Sequence, residues 1–272
     1  MDWYPLWNSL RIAAISTVII FFAGIFAAYY IAKLPRLIKG VLDVVLTLPL
    51  VLPPTVVGYL LLRVLGPKRV IGAWVLETFG VKLVMTWWSA IFATTVVIFP
   101  LMYRTVRGAF EAFDETLAYS GQTLGLSNTY IFWRIRMPCC RQGVLAGTVL
   151  AFARAMGEFG CTLFFAGNYA GITQTIPIAI YFEWMGGNTS VALFWVVVVI
   201  AFSFLVILFI NMYTAHSQKY RERGLSRAER KQAKEFAGQG DSLDPVGGDA
   251  LRIDREALAE LMRDGAVAKG GR

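Results

Sequence analysis

The chain has 272 residues, 57% of them hydrophobic, and carries 26 basic against 18 acidic side chains for a formal net charge of +8. Its mean hydropathy is +0.57, and the apolar share exceeds the roughly 45–50% of a soluble domain. A soluble globular fold is therefore excluded. The basic excess is not a nucleic-acid footprint either, because lysines and arginines flank apolar runs, the pattern that sets membrane orientation.

The first apolar run, residues 9–32, follows a short aromatic segment with Trp3, Tyr4 and Trp7, side chains that suit a headgroup boundary. It lacks a basic leader and a small-x-small cleavage site, so it reads as a retained span. Lys33, Arg36 and Lys39 follow it and place that end inside and the N-terminus outside. The second run, residues 41–64, contains TLPLVLPPTVVGYLLL with Pro49, Pro53, Pro54 and Gly58. Proline removes a backbone donor and clashes with the preceding turn, so this span is expected to bend or break. Such backbone is tolerated in lipid only beside protein or a water-filled path. Thr47, Pro53, Pro54, Thr55 and Gly58 are the candidate path residues on it, with plain packing the alternative reading of the kink.

Residues 65–85 read as an external loop, although Lys68, Arg69 and Lys82 run against the orientation rule. The third span is residues 86–103, opened by Trp87–Trp88 and closed by Arg104 and Arg107. The polar stretch 104–141, RTVRGAFEAFDETLAYSGQTLGLSNTYIFWRIRMPCCR, is too long for a tight turn. Residues 114–124 can form a short helix, and Gly125 permits a positive φ. Ser127 or Asn128 can cap a second short helix, and Pro138 is expected to end it. A helix–Gly–helix hairpin on the inner membrane surface results.

The fourth span, residues 143–166, carries Gly143 and Gly147 in a spacing that allows close helix approach. It also carries Arg154 and Glu158, i and i+4 on one helix face. Ionisable groups at membrane depth are costly and usually face protein or water, so they are read as a neutralised structural pair or as part of an anion path or gate. Residues 167–190 are external and hold a short apolar helix at 176–185, re-entrant or interfacial. The fifth span is residues 191–213, and the basic residues after it put the C-terminus inside. Residues 1–217 thus form the membrane domain. Residues 218–272 form a charged cytoplasmic tail in which 249–264 can be an amphipathic helix, with Ile253, Leu258, Leu261 and Met262 near one side.

No GxxxxGK[ST] phosphate loop, HExxH, GxSxG or CxxC occurs. His216 is the single histidine, and Cys139, Cys140 and Cys161 make no disulfide framework. The expectation is a protein without catalytic, metal or cofactor sites of its own, worked by an energy-supplying partner.

The 104–141 stretch resembles the EAA coupling loop of the membrane subunits of binding-protein-dependent ABC importers. That loop has an acidic-Ala-Ala start, a glycine, and an Ile-x-Leu-Pro end. Gly125, Ile135, Met137 and Pro138 fall in that spacing, while Tyr119, Ser120 and Gly121 occupy the acidic-Ala-Ala positions and Glu111 and Glu115 precede them. LPLVLPPTVVGYLLL, LAFARAMGEFG and QTIPIAIY resemble the permease subunits of molybdate importers, with GEFG shared by sulfate permeases. The resemblance implies an all-α polytopic membrane protein of the type I ABC importer permease fold, with about five transmembrane helices. It also implies a homodimer carrying molybdate or tungstate at its interface across the cytoplasmic (inner) membrane. Two ATP-binding cassette subunits holding ATP and Mg would receive the coupling loop through Glu111, Glu115, Tyr119, Ser120, Gly121, Gly125, Ile135 and Pro138. A periplasmic or extracellular molybdate-binding protein would deliver the substrate. A permease for sulfate or another oxyanion, or a channel or ion-coupled carrier with no ATPase, remains open.

Overall fold

A computed structural model describes residues 2–208 and Met212, and the described residues are helical with connecting turns. The expectations for residues 218–272, including the helix at 249–264, and for His216 lie outside the described residues. Helix α1 spans Tyr4–Ala32 and α5 spans Trp87–Glu111, each long and apolar enough to cross a membrane, as is the last described helix, α11, Thr189–Leu208. Two further spans are broken. Helices α2 (Arg36–Val51) and α3 (Pro54–Leu65) meet at 112°, and the segment Asn128–Met156 meets α9 (Gly160–Ala166) at 61°. Among the described residues there are three continuous candidate spans, or up to five when each bent pair is counted as one.

The second-span break is where the prolines place it. Leu52 and Pro53 are extended, and Pro54 restarts the helix. Pro53 and Pro54 have no N–H to continue the α2 ladder, whereas the fixed φ of proline suits a first turn. The core lies where α1 and α8 (Met137–Met156) pack along α5, around Ile20, Ile98, Met102, Tyr103 and Val106. Gly24 makes the α1–α5 approach possible, since a Cβ there would stand 2.8 Å from Met102 Cγ. At the N-terminal end of α1 a polar clasp joins that helix to the loop before α10 (Ile176–Met185). Asn8 Nδ2 donates to the Gln174 carbonyl at 3.0 Å, the Ile176 N–H to Ser9 Oγ at 2.9 Å, and Trp87 Nε1 to Asn8 Oδ1 at 2.8 Å.

Four expectations change. The loop 65–85 contains a helix, α4 (Val70–Phe79), folded back so tightly on α3 that a Cβ at Gly72 would meet the Gly66 carbonyl oxygen at 2.1 Å. The third span runs on to Glu111 rather than ending at Tyr103, because Arg107 and Glu111 find ionic partners that keep its last two turns helical. Pro138 does not end a helix. The chain passes from α7 (Asn128–Ile131) through a π-helical turn, Phe132–Arg136, into α8 (Met137–Met156), with Pro138 in the first turn of α8. The Met137 N–H donates to Phe132 O, five residues back. That wider turn relieves the clash a proline ring makes with the carbonyl four residues before it. Finally, 143–166 is not one helix, because α8 stops at Met156 and α9 begins at Gly160.

Candidate functional site

Two places concentrate the side chains that the sequence singles out. The first is the hairpin. Helix α6 (Glu115–Thr123) is capped by Asp114, whose carboxylate accepts from the Thr116 N–H at 3.0 Å and from the Thr116 hydroxyl. These bonds hold the Asp114 carboxyl below its ordinary value. Gly125 turns the chain with φ +77°, and Ser127 caps α7 through the Tyr130 N–H at 3.3 Å. Gly121 is buried under α7. A Cβ there would lie 3.2–3.4 Å from the side chains of Ile131 and Ile135, so the absence of a side chain at 121 is what closes the hairpin.

The acidic groups of this region are engaged inside the chain. Both oxygens of Glu115 accept from Arg136 Nη2, at 2.6 and 2.7 Å. Glu111 pairs with Lys39 at 3.2 Å and with Arg107 at 2.8 Å, and Arg107 also pairs with Asp43. Ser120 is exposed, and its hydroxyl donates to the Thr116 carbonyl at 2.8 Å. Pro138 is exposed and Ile135 half-buried. What the hairpin presents outward is apolar and aromatic: Leu117, Tyr119, Leu124, Tyr130 and Trp133 are all exposed, Leu124 to 79%.

The second place is the crossing of the two broken spans. Helix α3 lies on α9 at glycines from both sides. A Cβ at Gly58 would stand 2.8 Å from Cys161 Cα and 2.9 Å from Cys161 O, and one at Gly160 would stand 2.9 Å from Thr55 Cγ2 and 3.0 Å from Thr55 N. Gly58 is buried, Pro54 half-buried, and Pro53 and Thr55 exposed. Beside the crossing lies Arg154–Glu158. The two residues do not share one continuous helix as their spacing suggests. Arg154 is in the last turn of α8, and Glu158 is in the three-residue break before α9.

They nevertheless meet, with Nη1 2.9 Å from Oε2. Glu158 Oε1 accepts the Cys161 N–H at 2.9 Å, satisfying a donor that the start of α9 leaves free. Arg154 Nη1 is the cationic partner of Oε2 among the described residues. The Glu158 side chain is 1% exposed and that of Arg154 38%. Thr47 is not part of this group. It sits on α2, which packs against α5, and its hydroxyl donates to the Asp43 carbonyl at 2.6 Å. Gly143 and Gly147 serve packing, because a Cβ at either would crowd Ala109 or Thr105 of α5, at 2.5 and 3.1 Å.

Sequence reasoning missed the Glu115–Arg136 clamp, the role of Asp43, and the Gly160–Thr55 contact. The glycines flanking Glu158 and Phe159 are the signal that could have announced the break.

Comparison with known proteins agrees with this architecture. The chain is 37% identical over 212 residues to YvgM of Bacillus subtilis, covering 78% of this chain and 93% of that one. It is 38% identical over 193 residues to the molybdenum transport system permease protein ModB of Escherichia coli K12, covering 70% and 84%. Among solved structures, a bacterial ABC transporter that imports the acidic polysaccharide alginate superposes with a TM-score of 0.62 at 16% identity, covering 78% of each chain. The MetNI methionine ABC transporter in an inward-facing form gives 0.56 at 13% identity, covering 76% and 94%. At those identities the likeness is one of fold. Residues 20–222 match the model of the binding-protein-dependent transport system inner membrane component, and the chain belongs to that family of multi-pass inner-membrane transport proteins.

Proposed function

We propose that this chain is the permease subunit of an ATP-driven importer that moves molybdate, with tungstate as the alternative cargo, across the cytoplasmic membrane. The observation that carries the reading is the 38% identity to the E. coli molybdenum permease over 193 residues. The hairpin supports it. Its acidic groups are spent on internal clamps, and its exposed Leu117, Tyr119, Leu124, Tyr130 and Trp133 form a surface that the fold itself does not use. On this reading two ATP-binding subunits, which bind ATP and Mg, receive that surface, and their closure moves the hairpins. An external binding protein delivers the anion, and two copies of this chain enclose the path. The N-terminus faces outside and the hairpin faces the cytosol.

At the α3–α9 crossing, Arg154 supplies the cationic group. Its side chain is partly open to solvent, so it can turn toward a passing oxyanion and return to Glu158 when the anion leaves. Such a site offers little affinity, as a path should, because tight binding there would slow release.

The test is uptake by proteoliposomes holding this chain, its ATP-binding subunit and the binding protein. The expected result is ATP-dependent molybdate uptake that tungstate inhibits and sulfate does not. Inhibition by sulfate instead would favour a sulfate permease, and uptake by the chain alone would favour a self-contained carrier. Orientation is checked separately through Cys139, which is exposed. A membrane-impermeant maleimide should label it only after the membrane is opened, and labelling of intact spheroplasts would overturn the topology.

A further inference from the structure

A cavity of about 440 Å³ lies along the face of α1 that looks away from α5 and runs down to the hairpin. Its upper wall is Phe21, Phe22, Ile25 and Phe26. Phe22 and Phe26 are more than 60% exposed. Its lower end is polar and cationic, closed by Lys33, Asn128 and Thr129 with Trp133 beside them. From Phe21 to Lys33 the helix rises about 18 Å at about 1.5 Å per residue. One leaflet of hydrocarbon is about 15 Å deep. The groove therefore spans one leaflet, apolar at acyl-chain depth and charged at headgroup depth.

The charge at its mouth has no partner of opposite sign. Lys33 Nζ rests 3.8 Å from the Tyr29 ring centroid and makes no ion pair among the described residues. The neighbouring cation, Arg136, is taken by Glu115. Asn128 uses its oxygen to accept from Gln122 Nε2 at 3.0 Å, and its amide N–H groups have no acceptor among the described residues. An ammonium, an amide and a hydroxyl around one opening suit a phosphate diester. A second copy of the chain is a poorer occupant, because a crossing helix would continue past mid-membrane whereas this groove stops there.

We propose that the groove is a site for one anionic phospholipid. Its phosphate sits among Lys33, Asn128 and Thr129, and its acyl chain lies against Phe22 and Phe26. The lipid would bridge α1 and the π-helical turn, bracing the hairpin from the membrane side. This does not depend on which anion the protein transports.

The experiment is native mass spectrometry of the full-length chain released from nanodiscs of equimolar dioleoyl phosphatidylglycerol and dioleoyl phosphatidylcholine. The wild type should retain one phosphatidylglycerol in preference to phosphatidylcholine. Lys33→Gln should cut that preference about fivefold, the contribution of one lysine near an anionic surface, and Lys33→Arg should keep most of it. Phe26→Ala should lower retention of both lipids alike. Millimolar inorganic phosphate should leave the bound lipid in place, and its displacement of the lipid would reassign the site to the free anion. Equal retention of the two lipids by wild type and Lys33→Gln overturns the proposal. So does a disulfide-linked dimer formed in membranes by Phe22→Cys in a Cys139→Ser background, which would give the groove to a second copy.

Discussion

Arg154 and Glu158 form an asymmetric pair, and the asymmetry predicts unequal consequences of removing either side. Arg154→Gln leaves a carboxylate that is 1% exposed with a single donor, the Cys161 N–H. Breaking a buried pair from one side costs about 3–5 kcal/mol. Because Arg154 is itself 38% exposed, water screens the pair and the lower end, about 3 kcal/mol, applies. Glu158→Gln keeps an oxygen for the Cys161 N–H and frees a guanidinium that already reaches solvent, so the loss is about 1 kcal/mol. The double variant has no stranded charge and should also lose about 1 kcal/mol, which makes the interaction energy about 3 kcal/mol against simple additivity. For a chain of this size a kcal/mol moves the melting temperature by about 2–4 °C. Arg154→Gln should then melt about 6–12 °C low, and the other two variants about 2–4 °C low. The assay is size-exclusion chromatography of fluorescently tagged protein after stepwise heating in detergent. Equal shifts for the two single variants, with the double variant at their sum, would refute the reasoning.

Three further outcomes follow from local geometry. Gly58→Ala drives a Cβ to 2.8 Å from Cys161 Cα, a backbone atom that cannot turn aside. It should cost about 1–3 kcal/mol, while Gly40→Ala, with open space around it, leaves melting unchanged. Gly125→Val forces a β-branched residue to φ +77° at a cost of about 1–3 kcal/mol. It should reduce recovery of the ATP-binding subunit in pull-downs, with Gly125→Asn milder, and unchanged recovery for both would separate the turn from docking. The Asp114 carboxyl titrates below 3.8 when α6 is folded. Its capping is therefore present above that value and lost as the pH falls through the lowered one. A spin label on Ser120→Cys should gain mobility below about pH 3.8, and Asp114→Asn should flatten the response. A pH-independent wild type would contradict the cap.

Much of this architecture can be read from residue types that act locally. Prolines 53 and 54 announce the elbow in the second span, because a missing N–H acts wherever it falls. Gly125 announces the hairpin turn, and Asp114 and Ser127 cap the helices beside it. What escapes the sequence depends on partners distant along the chain. The C-terminal extension of α5 rests on Lys39 and Asp43 of another helix. Pro138 reads as a terminator until a π-helical turn upstream makes room for its ring. The break after Met156 hides inside an apolar stretch whose composition fits a continuous helix. Gly160 matters because α3 presses Thr55 against it, while Gly58 of α3 makes room for Cys161, contacts that no local pattern displays. The engagement of Glu111 and Glu115 is likewise hidden, since a charge on a polar loop looks available until its counter-ion is located.

The ionic cluster that joins the N-terminal half of α2 to the C-terminal end of α5 has a mechanical consequence. Only Ala112, Phe113 and Asp114 separate α5 from α6, and Lys39 and Asp43 clip α2 to the last two turns of α5. A shove on the hairpin thus cannot reach one rod without loading the other, and the second rod ends at the 112° elbow. Each clip, partly open to water, is worth about 1 kcal/mol or less. The linkage behaves as a crank with a slipping clutch: it carries small forces to the elbow and lets go before the rods themselves unwind.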